Sequence, residues 1–190
     1  MSRSKLFTAA AAGLALAFAA GGLASAQMAM AHKEKTVQVG GAPMYPSKNI
    51  VQNAVNSKDH TTLVAAVKAA GLVDTLSSPG PFTVFAPTNE AFDKLPAGTV
   101  ETLVKPENKA ALTKILTYHV VAGRMSSADL MAKARDGGQL TTVQGEPLKV
   151  TTKAGAVWLT DSKGGMSRVT IANVNQSNGV IHVVDTVLMP

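Results

Sequence analysis

The fold of this chain is decided by one stretch, Thr83-Val-Phe-Ala-Pro-Thr-Asn-Glu-Ala-Phe92. Residues 82–86 have the apolar and β-branched character of a buried strand, and Pro87 ends that strand because proline has no N–H to donate to a central ladder. Thr88 then offers a hydroxyl that can cap a helix, and Glu90 falls in the first helical turn, where a carboxylate meets the positive end of the peptide dipoles. The stretch therefore predicts a buried strand, a forced turn and a new helix that carries the chain back onto the core.

The first 26 residues form a segment of a different kind. It starts with two bases, Arg3 and Lys5, continues through an apolar run from Leu6 to Ala20, and ends with small residues at alternate positions, Ala24-Ser-Ala26. This is the pattern of a secretory signal, so residues 1–26 are predicted to be a cleaved signal peptide. An uncleaved membrane anchor is the alternative, although the run is short and rich in Ala and Gly for a bilayer span. The sequence predicts a periplasmic or extracellular (secreted) protein with no stable membrane insertion after signal cleavage.

The remaining chain, residues 27–190, has the size of one domain and contains no cysteine, so its stability must come from packing. Removing residues 1–26 leaves 16 basic against 12 acidic residues, a formal net charge of +4. These bases are scattered, and only six aromatic residues accompany them, which is unlike the interleaved basic and aromatic pattern of single-strand nucleic-acid binders. No nucleic-acid partner is expected.

Residues 27–44 are predicted to be a flexible leader, because the segment is polar and charged and contains a Gly40-Gly41 break. The leader includes Met28, Met30 and His32. Two thioethers and an imidazole at alternate positions could hold a soft metal such as Cu(I). The other interpretation is a flexible tail with incidental methionines, and the sequence assigns no metal site and no cofactor.

Helical periodicity fills the first half of the chain, and β-type runs fill the second. Apolar residues fall at helical spacing in 49–57 and 59–70, and further helices are predicted from Pro106 and from the capping box at Ser126-Ser-Ala-Asp129. From residue 139 onward, short β-rich runs alternate with Gly-, Asn- or Asp-containing turns, which predicts consecutive antiparallel strands. Early helices followed by late strands indicate an α+β fold.

Three segments resemble the fasciclin-domain family. The stretch 83–92 is similar to its first signature, Tyr118-His119 to its central Tyr-His pair, and Asn178-Gly-Val-Ile-His-Val-Val-Asp185 to its second signature. The resemblance covers residues 45–190 and is closest to the small, secreted, single-domain bacterial members. It implies a wedge-shaped β-sandwich with helices packed on one side, in which the strands at 82–86 and 179–188 lie close together.

The same resemblance implies a non-enzymatic protein that mediates cell or surface adhesion. Its partner would be a cell-surface or matrix protein or a polysaccharide, with a homotypic contact as a further possibility. Tyr118 and His119 are the predicted binding residues: the segment 118–121 is β-rich, and adjacent residues in a strand point to opposite faces, so one can be buried while the other meets a partner. The alternative is that both side chains belong to the core.

The sequence contains no catalytic motif that we can identify. There is no Gly-x-Ser-x-Gly elbow, no phosphate-binding glycine loop and no cysteine, so no catalytic residue is assigned. His182 is expected to be a buried, hydrogen-bonded side chain of a strand. The aromatic residues expected in the core are Phe82, Phe85, Phe92 and Trp158. The alternative function is a periplasmic small-ligand or metal-binding stress-related protein that uses a pocket between sandwich and helices, or the Met28 to His32 tail.

Overall fold

The structure, a computed structural model, describes residues 35–190. Its strands are β1 (Val37–Val39), β2 (Ala42–Met44), β3 (Phe82–Pro87), β4 (Val120–Ala122), β5 (Gln139–Thr141), β6 (Pro147–Lys153), β7 (Ala156–Thr160), β8 (Met166–Gln176) and β9 (Gly179–Val184). Its α-helices are α1 (Ile50–Ala54), α2 (Thr61–Ala70), α3 (Val73–Ser77), α4 (Asn89–Asp93), α5 (Thr99–Leu103), α6 (Lys109–Tyr118) and α7 (Ser127–Arg135). Single 3₁₀ turns precede α2 and α6, at Lys58–His60 and Pro106–Asn108.

The deciding stretch folds as its sequence predicts. Strand β3 is buried from Thr83 to its last residue, Pro87. Thr88 takes the N-cap position of α4, where its Oγ1 accepts a hydrogen bond from the Ala91 N–H at 3.3 Å. Helix α4 then buries Phe92. Strand, turn and helix are thus encoded locally by residues whose backbone preferences agree.

Seven strands form one sheet in the order β4-β3-β9-β8-β7-β6-β5. The run from β5 to β9 is an antiparallel meander, as predicted, whereas β3 pairs with β9 in parallel and places Phe85 opposite His182. A further bridge joins Val121 of β4 to Thr142, which follows β5, so the two edges of the sheet meet. The sheet therefore closes on itself as a sandwich, and the two signature segments lie side by side in it.

Two hydrophobic cores flank the sheet. The sandwich core contains Phe85, Val184 and the inward residues of β5, β6 and β7. The helical-layer core lies on the other face and contains Ile181 and Val183 together with residues of α1, α2, α3, α4 and α6. Strand β9 thus sends alternate side chains into two different cores, because successive side chains of a strand point to opposite faces of the sheet.

The helices are not all on one side of the sheet. Helix α7 packs against β6 and β7, and its Leu130 is buried in the sandwich core. The predicted capping box starts this helix: Ser126 Oγ accepts from the Asp129 N–H, and the Asp129 carboxylate accepts from the Ser126 N–H at 2.8 Å. One-sided packing holds for α1 to α4 and α6, while α7 covers the other layer.

The predicted flexible leader is wrong for residues 37–44, which form the antiparallel hairpin β1–β2. Val39 and Met44 are buried in the helical-layer core, so the hairpin is part of the packed domain. Its turn is made by Gly40 and Gly41, whose φ angles of 59° and 74° suit a two-residue hairpin turn. The glycine pair that we interpreted as a break is a hairpin signal, and residues 27–34 lie outside the described residues.

Two smaller expectations also fail. Trp158 is half-buried, because Val157 and Leu159 take the inward positions of β7 and leave its indole on the outer face. The helix predicted over residues 59–70 begins only at Thr61, because Asp59 lies in the 3₁₀ turn and His60 occupies the N-cap position of α2. Both differences reflect the register of a short element, which sequence patterns fix less well than the element's existence.

Phe85→Ala tests the central position of β3. Phe85 is fully buried and stacks on the His182 ring with centroids 5.8 Å apart, so we expect the free energy of unfolding to fall by about 3–5 kcal/mol. Denaturant unfolding measures the change. The half-buried Trp158→Ala is the control and should lose much less; equal losses would contradict the central role of Phe85.

Gly40→Ala and Gly41→Ala form a matched pair in the hairpin turn. Both residues have positive φ, so either alanine costs about 1–2 kcal/mol of backbone strain. A Cβ on Gly40 would also collide with the Ser57 side chain and come within 2.7 Å of the Asp59 N atom, whereas one on Gly41 meets nothing within 4 Å. Thermal unfolding should therefore show the larger loss for Gly40→Ala, and equal losses would place the hairpin away from residues 57–59.

Candidate functional site

Tyr118 and His119 lie at the end of a helix, which corrects the predicted strand. Tyr118 is the last residue of α6 and His119 is its C-cap. The helical N–H bonds continue to this point, because the His119 N–H still reaches the Leu116 carbonyl at 3.1 Å. Both side chains are buried, so neither meets a partner directly in this structure.

His119 joins two parts of the chain through its ring. Its Nδ1 lies 2.8 Å from the Ile115 carbonyl of α6, and its Nε2 lies 3.0 Å from the Leu188 N atom of the C-terminal segment. A carbonyl only accepts and an N–H only donates, so Nδ1 carries the proton and Nε2 is the acceptor. The ring is therefore a neutral imidazole that anchors the C-terminal segment to α6.

The environment of His119 strongly favours that neutral form. Burial lowers the pKa of His119 to about 4, and this effect exceeds the opposite influence of the Ile115 carbonyl and of the Asp161 carboxylate. Protonation would also place a second N–H against the Leu188 N–H. The side chain is consequently a structural connector and not a proton donor at neutral pH.

Tyr118 supports a turn on the protein surface from below. Its ring is fully buried in the sandwich core, and its hydroxyl donates to the Pro147 carbonyl at 3.2 Å. Burial raises the pKa of Tyr118, so the hydroxyl keeps its proton and remains a donor. The bond connects the end of α6 to the beginning of β6.

The turn formed by residues 142–147, which we call the 142–147 turn, is the surface above Tyr118. The Thr142 hydroxyl donates to the Glu146 carbonyl at 2.7 Å, and the Val143 N–H donates to the Val120 carbonyl at 2.7 Å. Lys114 of α6 pairs with the Glu146 carboxylate at 3.1 Å. Val143 is 45% exposed on this turn. An apolar side chain and an ion pair are thus presented on a backbone fixed from beneath.

Asn178, the first residue of the second signature, ties the helices to the sheet. Its Oδ1 accepts from the Ile50 N–H at 3.0 Å, and its Nδ2 donates to the Leu76 and Ser78 carbonyls at 2.7 and 2.8 Å. The buried amide therefore holds the start of α1 and the end of α3 next to β9. We did not predict this role, which depends on contacts between residues 100 or more positions apart in sequence.

His182 is buried and hydrogen-bonded, as predicted. Its Nε2 donates to the Met125 carbonyl at 2.9 Å, and its Nδ1 faces the Asn173 N–H at 3.4 Å. Burial lowers the pKa of His182, with the Met125 carbonyl acting in the opposite direction. The side chain holds the segment before α7 against β9.

His60 was missed by sequence reasoning. It is 3% exposed at the start of α2, and only its Nδ1 has a hydrogen-bond partner, the Ser57 hydroxyl at 2.8 Å. Burial lowers the pKa of His60, while the nearby Ala86 carbonyl and Asp59 oppose the change.

The described part of the chain offers no clustered metal ligands. Within residues 35–190, no group of three or more His, Cys, Asp or Glu side chains is arranged to hold a metal ion. No helix in the same range is long and apolar enough to cross a membrane. Met28, Met30 and His32 lie outside these residues, so the soft-metal interpretation stays a prediction.

The stability of the folded protein should decrease as the pH is lowered, because burial keeps His119 neutral in the folded state. Above its ordinary pKa of 6.5 the ring is neutral in both states; as the pH falls from 6.5 towards 4, the unfolded chain takes up a proton and the folded chain does not. His119 should contribute a drop of about 1.4 kcal/mol per pH unit to the unfolding free energy, or about 3 kcal/mol over the window, and this contribution should then level off. His119→Gln, which cannot titrate, should be less stable at pH 8 and have a flatter profile; an unchanged slope in urea unfolding would remove His119 as the cause.

Comparison with known proteins identifies relatives over most of the chain. Protein sll1483 of Synechocystis is 47% identical over 173 residues, which cover 91% of this chain and 91% of that protein. The cell surface glycolipoprotein MPB83 of Mycobacterium bovis is 39% identical over 144 residues, which cover 72% of this chain and 58% of that protein.

A solved structure shows the same fold. The FAS1 domain pair from the insect cell adhesion molecule fasciclin I superimposes with a TM-score of 0.68 at 18% identity, covering 83% of this chain and 59% of the domain pair. The family model of the fasciclin domain matches residues 58–190, which include all three segments that resemble the family in sequence. The chain belongs to the fasciclin-domain family.

Proposed function

We propose that this protein is exported and acts by surface recognition, mediating adhesion to a cell-surface or matrix protein or a polysaccharide without catalysing a reaction. Two similar proteins support this proposal, since one is named as a cell surface glycolipoprotein and the other as a cell adhesion molecule. The secretory pattern of residues 1–26 supports a periplasmic or extracellular location.

One structural observation carries the proposal. Three buried polar side chains of the family segments are engaged inside the fold: His119 with α6 and the C-terminal segment, Asn178 with α1 and α3, and His182 with Met125. Side chains that are hydrogen-bonded in this way hold elements together, and their donors and acceptors are not left unpaired to act on a substrate. Recognition therefore falls to exposed side chains, which these buried groups position.

The 142–147 turn is the surface that we assign to recognition. Its backbone is fixed by the Tyr118 hydroxyl and by Val120, so little conformational entropy would be lost when a partner binds. Val143 provides exposed apolar area, and the pair Lys114–Glu146 provides polar contacts at the rim. Tyr118 and His119 would then influence binding from beneath the contact surface.

Val143→Glu tests this surface. A charge at the centre of an apolar contact should weaken adhesion of the purified protein to intact cells or to immobilised envelope polysaccharide by about tenfold or more, which corresponds to about 1.4 kcal/mol. Val55→Glu is the matched control, because Val55 is 49% exposed on the helical layer and should leave adhesion unchanged. Binding can be measured by surface plasmon resonance or by cell pull-down.

Three outcomes separate the parts of the proposal. Loss with Val143→Glu alone supports the 142–147 turn as the contact. Equal loss with both variants, or no loss with either, would remove the turn while leaving adhesion in place. If the wild-type protein binds neither cells nor envelope polysaccharide, the adhesion proposal itself falls.

A further inference from the structure

The strands that enclose the sandwich core also present a face to solvent. Along β5, β6, β7 and the first part of β8, buried residues alternate with residues that reach the surface. The buried hydrophobic residues of these strands belong to the sandwich core. The alternate residues form a surface that we call the outer sheet face, and those used below are Lys149, Thr151, Lys153, Trp158, Thr160 and Arg168.

The charges on the outer sheet face have one sign. Strands β5 to β8 contain three bases, Lys149, Lys153 and Arg168, and no aspartate or glutamate. All three bases are exposed. Lys114 and Glu146 form the only ion pair within residues 35–190, so none of the three bases has a carboxylate within 4.0 Å. Unpaired cations gathered on one face favour an anionic ligand.

The carboxylates at the border of this face are engaged. Asp161, which follows β7, accepts hydrogen bonds from three backbone N–H groups at 2.7 to 3.0 Å. Asp185, which follows β9, accepts from the Arg168 N–H at 2.9 Å, and Glu146 pairs with Lys114. These contacts hold the acids at the ends of the strands and leave the basic side chains between them available to a ligand.

Trp158 lies at the centre of the outer sheet face. The strand register places Thr151 of β6 and Arg168 of β8 directly opposite it, one on each side, with Cβ atoms about 5 Å away. Lys149 is opposite Thr160 and is therefore a diagonal neighbour of Trp158 at about 7–8 Å. The half-buried indole is thus an apolar platform with a hydroxyl and two cations around it.

A sugar chain that carries carboxylates matches this arrangement. The C–H groups of a sugar ring can pack on the indole, and a guanidinium binds a carboxylate through two parallel hydrogen bonds. Threonine hydroxyls can donate to sugar hydroxyls or accept from them. A single strand of nucleic acid is a poorer match, because its successive bases stack on several aromatic rings, whereas β5 to β8 contain one aromatic residue.

We propose that the outer sheet face binds an anionic polysaccharide, with a sugar ring on Trp158 and carboxylates of the chain on Arg168 and Lys149. These three residues lie outside the 142–147 turn, so the inference adds a second contact surface and does not depend on the first. Binding of a soluble sugar chain is measured without cells, and its result is therefore separate from the test of adhesion.

The probe is oligogalacturonate, a linear chain of carboxylated sugars, and a maltooligosaccharide of similar length is its neutral counterpart. Trp158 is the only tryptophan of the chain, so its fluorescence reports on this face alone. Titration of the full-length protein with oligogalacturonate should change the fluorescence saturably, and added salt should weaken the binding. The maltooligosaccharide should bind more weakly by about tenfold or more.

Lys149→Gln/Arg168→Gln and Lys68→Gln/Lys109→Gln are matched double variants, because each removes two exposed positive charges. The first changes the outer sheet face, and the second changes α2 and α6. The first should weaken oligogalacturonate binding by about tenfold, since each exposed charged contact changes a dissociation constant by about two- to fivefold. The second should bind as the wild type does. Trp158→Ala, measured by calorimetry, should also weaken binding, and the double variants keep the test decisive if Trp158→Ala fails to fold.

Three results would overturn the inference. Equal binding by the two double variants would indicate a response to net charge and not to this face. Absence of saturable oligogalacturonate binding by the wild type would remove the site, while the comparison of Val143→Glu with the wild type still decides the adhesion proposal. Tighter binding of a single-stranded oligothymidylate, with the same sensitivity to Lys149→Gln/Arg168→Gln, would make the ligand a nucleic acid.

Discussion

The parallel pairing of β3 with β9 is the constraint on which the rest of the structure depends. It joins two segments separated by residues 88–178 and sets Phe85 opposite His182 in the middle of the sheet. Each strand sends alternate side chains to the sandwich core and to the helical-layer core, so this one register fixes the composition of both. A shift by one residue would exchange the two sets, placing the imidazole and the Phe85 ring among the helices. Most of the domain lies between these two strands in sequence. The helices and the meander must therefore pack on the correct sides of the sheet for the pairing to form.

Buried polar side chains then attach the peripheral elements to this central pair of strands. Asn178 holds α1 and α3, His119 holds the C-terminal segment against α6, and His182 holds the chain that leads into α7. Each satisfies backbone groups at the ends of elements, where N–H and C=O groups lack partners within the element itself. The chain has no cysteine, so no disulfide joins these elements. The hydrogen bonds of Asn178, His119 and His182 hold them together instead. They are specific because a backbone group left unpaired in the interior would be costly.

The sequence was sufficient to predict an element where the local backbone preferences and the packing in the fold favour the same conformation. The stretch 83–92 carries its strand, proline stop and threonine cap within ten residues, and the antiparallel meander follows from regular turns. It was insufficient where a local signal has two meanings. Tyr118-His119 precedes two valines and has β propensity, yet α6 continues through Tyr118 because its buried stripe still faces the core. In the sequence, Gly40-Gly41 is typical of a break in a flexible segment, whereas in the structure it forms a hairpin turn. The role of Asn178 could not be predicted, because its partners are brought close only by the fold.

The three buried histidines of residues 35–190 differ in what they contribute to the stability of the fold. His119 and His182 each have backbone partners on both nitrogens, so replacing either ring by a hydrocarbon would leave backbone groups unpaired in the interior. His60 differs, since its ring has one hydrogen-bond partner, the Ser57 hydroxyl, and its Nε2 is buried without one. A leucine at position 60 would remove the unpaired Nε2, but it would also take away the hydrogen-bond partner of the buried Ser57 hydroxyl. His119 and His182 therefore stabilise the fold through both ring nitrogens, whereas the imidazole at position 60 stabilises it through Ser57 alone.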